Sequence, residues 1–121
     1  MSKERPTVLI VDDEPEFVEL LSAYLQGDYE VRTAYGGSEA LDVADDDIDV
    51  ISLDRRMPDL SGDAVVTKLR EAGWSGPILM VSALEQRDLD LQGWDGYLEK
   101  PVLRDEYRDE LVRLLDSEEQ R

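Results

Sequence analysis

Three short runs constrain this chain more than anything else in it: Thr7-Val8-Leu9-Ile10-Val11, Val50-Ile51-Ser52-Leu53 and Pro77-Ile78-Leu79-Met80-Val81. Each is apolar almost throughout, the pattern of a strand covered on both faces, as in a parallel sheet. A half-wet antiparallel strand would alternate. Each run also stops at a polar residue: Asp12-Asp13, Asp54 and Ser82.

Helical spacing fills the intervals. Pro15 suits a first turn, and Phe17, Leu20, Leu21, Tyr24 and Leu25 follow at helical spacing until Gly27-Asp28 breaks the pattern. Tyr29 to Ala34 alternates, which predicts a second strand nearer the sheet edge. Gly36-Gly37-Ser38 predicts a turn with Ser38 as N-cap, opening a short helix with Ala40, Leu41 and Ala44. A third helix spans roughly Asp63 to Ala72, with Val65, Val66 and Leu69 inward and Gly73 as its stop. Between Leu84 and Asp95, only Leu89, Leu91 and Trp94 support a short helix. Gly96-Tyr97-Leu98 predicts a brief fifth strand before Glu99-Lys100-Pro101. A last helix runs from Arg104 to Asp116 on Tyr107, Leu111, Leu114 and Leu115, and residues 117–121 read as a tail or the start of a linker. Strand and helix thus alternate five times. Right-handed crossovers turn that order into a parallel α/β sheet with helices on both faces, a single domain over residues 1–121.

Composition narrows the chemistry. The chain has no Cys and no His, which excludes disulfides, thiolate metal sites and a histidine general base. No run approaches a membrane span and no signal-peptide h-region stands at the start, so the expectation is a cytoplasmic protein. A net charge of -17 repels a phosphate backbone, which argues against nucleic-acid binding by this domain. The same acidity suits high salt, where screening relieves self-repulsion, so a halophilic source is expected.

In a parallel sheet all strand C-termini lie on one rim, and ligands bind outside it. Asp12, Asp13, Asp54, Ser82 and Lys100 are all placed there. Singly, each has a structural explanation as a turn, cap or strand-end residue. Jointly they bring three acids, a hydroxyl and one of three lysines to one rim. Three carboxylates packed together repel and favour a cation among them, and an all-oxygen set suits Mg²⁺ or a similar hard ion. Such an ion would hold a phosphate in line with Asp54 as nucleophile, with Lys100 on the phosphoryl oxygens and Ser82 donating to another.

Together, Val11-Asp12-Asp13-Glu14-Pro15, Asp54 with Met57-Pro58 and Gly62, Ser82-Ala83 and Lys100-Pro101 resemble the receiver domain of a two-component response regulator. The resemblance implies a flavodoxin-like (CheY-like) fold with a five-stranded parallel sheet in order 2-1-3-4-5. It implies Asp54 as phosphoacceptor and Asp13, Asp54 and the main-chain carbonyl of Arg56 as Mg²⁺ ligands, with Asp12 acting through water. It implies Lys100 and Ser82 as phosphoryl contacts and Ser82 with Tyr97 as the switch pair, the ring moving inward when the hydroxyl shifts. A sensor histidine kinase is the implied partner, with an output domain after residue 121 and a homodimer as further options. The acidity and Asp-Arg-Arg-Met-Pro also resemble haloarchaeal receivers, including HalX-type regulators. The segment from Ser82 to Lys100 is short for the family, which leaves room only for a short fourth helix and bears on the usual output face.

Two other readings exist. A haloacid-dehalogenase-type phosphohydrolase would carry an Asp two residues after the nucleophile, where this chain has Arg56. An unphosphorylated receiver-like scaffold would usually have lost an acid or the lysine, and this chain keeps them all.

Overall fold

The structure is a computed structural model, and it describes residues 5–83 and 93–119. In chain order the elements are β1 (Thr7–Val11), α1 (Pro15–Leu25), β2 (Glu30–Ala34), α2 (Gly37–Val43), β3 (Val50–Leu53), α3 (Gly62–Glu71), β4 (Ile78–Ser82), β5 (Gly96–Glu99) and α4 (Arg104–Glu119). The strands form one five-stranded sheet in the order β2-β1-β3-β4-β5, every neighbouring pair parallel. This is the expected CheY-like order. Residues 84–92, where the short fourth helix was expected, lie outside the described residues; α4 is the last helix of the sequence.

The three apolar runs are the three inner strands, each buried at every position. Side chains alternate across the sheet, so one run feeds two cores. Leu9 and Val11 join Ile51, Leu53, Val65 and Leu69 under α2 and α3. Val8 and Ile10 join Val50, Leu79, Leu21, Tyr107 and Leu111 under α1 and α4. The alternating segment forms β2 at an edge, half-exposed as its polarity requires.

Three expectations need correction. Ser38 is not the N-cap of α2: the helix starts at Gly37, Gly36 is the cap residue, and no cap side chain bonds there. The carboxylate of Asp59, from the β3–α3 loop, instead accepts the backbone N–H groups of Gly37 (3.1 Å) and Ser38 (2.9 Å). A cap supplied across the fold replaces a local one. Pro77 lies outside β4; it has no N–H to donate, though its carbonyl accepts from Ile51 N–H at 3.1 Å. The last helix continues through Glu119, since the sequence after Asp116 holds neither Gly nor Pro to stop it.

Candidate functional site

Lateral hydrogen bonds continue past the strand ends and fix the rim. Asp12 N–H donates to the Ala34 carbonyl (3.2 Å), Asp54 N–H to that of Val11 (2.9 Å) and Lys100 N–H to that of Ser82 (2.9 Å). The functional side chains are therefore held by sheet geometry rather than by free loops.

Asp12, Asp13 and Asp54 each bring a carboxylate oxygen within 4.8 Å of the other two. Asp12 is 1% and Asp54 5% exposed, while Asp13 is half-buried. Asp12 uses both oxygens: Oδ1 accepts the Glu14 N–H at 2.9 Å, forming the turn into α1, and Oδ2 accepts from Lys100 Nζ at 2.9 Å. One side chain thus closes the turn and anchors the lysine. The Lys100 ammonium also lies 3.7 Å from Asp54 Oδ1 and 3.8 Å from Glu14 Oε1.

The charges do not balance. Burial, then the neighbouring Asp12 charge, push the Asp54 carboxyl up to about 6, with Lys100 only partly offsetting them. Burial alone would lower Lys100, but its hydrogen bond to Asp12 and the charges of Asp54, Asp12 and Glu14 leave it above its ordinary value. The lysine is firmly cationic and still insufficient for three acids. That excess of carboxylate oxygen in a half-buried cleft fits a hard divalent cation, so the residues present suit Mg²⁺.

Ser82 ends β4 and is buried (1% exposed); Tyr97 in β5 is also buried, its ring 6.0 Å from that of Trp94. The structure thus brings Asp12, Asp13 and Asp54 together and sets the Lys100 ammonium against Asp12 and Asp54. Ser82 is tied to Lys100 by the backbone pairing, and Tyr97 lies inward. The Arg56 side chain is exposed, while Arg55 is buried and its carbonyl accepts from Gly62 N–H at 2.7 Å. Gly62 must be glycine, because a Cβ there would stand 2.5 Å from the Asp54 carbonyl oxygen and 2.8 Å from Arg55 Cα. The glycine lets α3 start directly against the Asp54 backbone.

Two residues at the site were not singled out from sequence. Phe17, read only as an apolar helix position, lies with its ring centroid 4.3 Å from Lys100 Nζ, a cation–π seat for the ammonium. Arg55 places a buried guanidinium beside Asp63, Trp94 and Tyr97. An aromatic one turn after Asp13 was the available signal for the first; nothing local marks the second.

A doubly wound parallel sheet with a lysine-bridged acidic cluster at its carboxyl rim defines an α/β domain whose candidate site lies where open parallel sheets bind their ligands. The sequence pattern of the response regulator receiver domain matches residues 8–112, and the chain belongs to that family of two-component signalling domains. A Haloferax volcanii protein named as a candidate transcriptional regulator is 41% identical over 110 residues, covering 89% of this chain and 19% of that protein. The response regulator SaeR of Staphylococcus epidermidis is 34% identical over 99 residues, 78% of this chain and 43% of that protein. The chain therefore spans less than half the length of these relatives. The Thermotoga maritima response regulator TrrA, solved in complex with Mg²⁺ and BeF, aligns with a TM-score of 0.81 at 34% identity, covering 91% of this chain and 99% of that one. Among the described residues, no helix is long and apolar enough to cross a membrane.

Proposed function

We propose that this receiver accepts a phosphoryl group on Asp54 from a sensor histidine kinase, with Mg²⁺ held by Asp13, Asp54 and the Arg56 carbonyl and reached through water by Asp12. The observation that carries the reading is the unbalanced cluster: three carboxylates within 4.8 Å, two of them buried, with Lys100 at 2.9 Å and 3.7 Å from two of them. When bound, the cation supplies charge that neutralises phosphoryl oxygens and the carboxylates around them.

The chain's own groups do the rest. An Asp54 oxygen attacks phosphorus in line, forming an acyl phosphate as the bond to the kinase's imidazole nitrogen breaks. Lys100, held by Asp12 and the Phe17 face, supplies a fixed charge on the phosphoryl oxygens. Ser82 donates its hydroxyl to one of those oxygens, and Tyr97 fills the space behind it. Residues 1–121 act as one receiver, and phosphorylation changes the surface around the last helix, α4. A cytoplasmic, high-salt setting accords with the charge of -17 and the Haloferax relative.

Intact mass after incubation with acetyl phosphate and Mg²⁺ in high salt tests this. The wild type should gain one phosphoryl group only when Mg²⁺ is present, and Asp54→Asn should gain none. An adduct that survives Asp54→Asn, or no adduct on folded wild type, overturns it.

A further inference from the structure

Arg55 is a buried cation that phosphoryl chemistry does not require. It is 7% exposed and stands directly after Asp54. Its Nε donates to Asp63 Oδ2 at 3.1 Å, across to the first turn of α3. Its guanidinium carbon lies 5.4 Å from the centroid of the Trp94 ring, and the same group hydrogen-bonds the Tyr97 side chain. Its backbone follows directly on that of Asp54, which is pinned to β1 through the Val11 carbonyl at 2.9 Å, and its own carbonyl accepts from Gly62 N–H at 2.7 Å. One residue therefore adjoins Asp54 through its main chain and meets the β5 aromatic through its side chain. A planar fork braced by Asp63 and stacked on Trp94 is a rigid link; a lysine could not make the same set of contacts.

We propose that Arg55 is a positioning residue that seats Tyr97 inward and couples that seat to the state of Asp54. The coupling rests on the phosphoacceptor reading of Asp54; the seating does not. Coupling is reciprocal, so whatever holds Tyr97 inward also strengthens binding of a phosphoryl group at Asp54, provided the inward ring favours it. Removing the Arg55 fork leaves the Tyr97 hydroxyl without its cationic partner and frees the ring to leave a pocket it now fills.

The test uses the full chain labelled with 3-fluorotyrosine, the Tyr97 resonance being assigned by its loss in Tyr97→Phe. Arg55→Met should move and broaden that resonance in the absence of any ligand, and Arg55→Lys should do so less. Titration with Mg²⁺ and beryllofluoride, followed calorimetrically, should show roughly fivefold or weaker binding for Arg55→Met and for Tyr97→Phe. The double variant should be no weaker than either single one. A Tyr97 resonance unmoved by Arg55→Met, or losses that multiply in the double variant, overturns the proposal. If Arg55→Met fails to fold, Asp63→Asn carries the same two readouts, with a smaller shift in the same direction expected and no shift overturning it. A wild type that binds no beryllofluoride at Asp54 counts against the phosphoacceptor reading alone, because the ligand-free resonance still decides whether Arg55 seats the ring.

Discussion

The two rims of the sheet handle charge in opposite ways. At the amino rim, Arg70 reaches from α3 and donates to the carbonyls of Trp74 (3.1 Å), Gly76 (2.7 Å) and Gly93 (2.7 Å) and to Asp95 Oδ2 (3.4 Å). The same Asp95 oxygen accepts from Ile78 N–H at 2.9 Å, where β4 begins. One guanidinium is matched to four acceptors and closes the fold across α3, β4 and the approach to β5. At the carboxyl rim one ammonium serves a cluster of three carboxylates, and burial with the Asp12 charge pushes Asp54 up to about 6. A matched cluster contributes to stability. An unmatched one holds a standing demand for positive charge, which is what a site for a cation and a phosphoryl group requires.

Breaking the matched rim should have the larger effect on stability. Arg70→Met removes several charge-assisted hydrogen bonds and leaves carbonyls unpaired, at an expected cost of about 3 kcal/mol. Chemical denaturation measures it. Below the transition, phosphoryl uptake should remain at the wild-type level, because among the described residues the Arg70 hydrogen bonds stay at the amino rim. A variant of wild-type stability, or one folded yet inactive, would dissolve the contrast.

Breaking the unmatched rim should do the reverse. Asp54 has a folded-state value near 6 against an ordinary 3.8, so the folded state binds its proton more tightly than the unfolded state does. Stability is then lost as pH rises through that window, and the full penalty stands above about pH 6. Asp54→Asn removes the charge and should raise metal-free stability at pH 7 by on the order of 2 kcal/mol. Near pH 4 the two proteins should converge. Paired denaturation curves without Mg²⁺ give the difference directly, and a gain that persists at pH 4 would deny its electrostatic origin. Added Mg²⁺ should stabilise the wild type more than the variant.

The same contrast explains what could be read from the chain. Asp12, Asp54 and Ser82 were legible because each terminates an apolar run, and a parallel sheet places such ends together. Lys100 followed from the short run Gly96-Tyr97-Leu98 just before it. Sheet order came from the resemblance, not from periodicity. The contacts that escaped are those whose partners meet only in the fold. Asp59 caps α2 from 22 residues away, while Ser38 offered a local cap that the helix does not use. Arg70 meets Gly93 at a separation of 23 residues, and Arg55 meets Tyr97 across two strands. Apolar periodicity reports which face is buried, but not which buried or half-buried charge finds which partner.

Between the rims lies a third case that separates mismatch from charge. The Tyr107 hydroxyl of α4 is fully buried, as is the Ser52 hydroxyl of β3, and neither has a hydrogen-bond partner of good geometry among the described residues. Burial pushes the Tyr107 phenol far above its ordinary value, so it stays neutral at every working pH. A neutral orphan costs its desolvation and creates no field for a ligand. Tyr107→Phe removes that cost while keeping the ring against Tyr24, whose centroid is 6.3 Å away. Stability should change by less than about 1 kcal/mol, in either direction, with no dependence on pH between 4 and 8 and no change in phosphoryl uptake. Denaturation at both pH values checks it. A loss of several kcal/mol would mean that the hydroxyl is matched after all, through a buried water shared with Ser52, and the interior would then belong with the Arg70 rim rather than between the two.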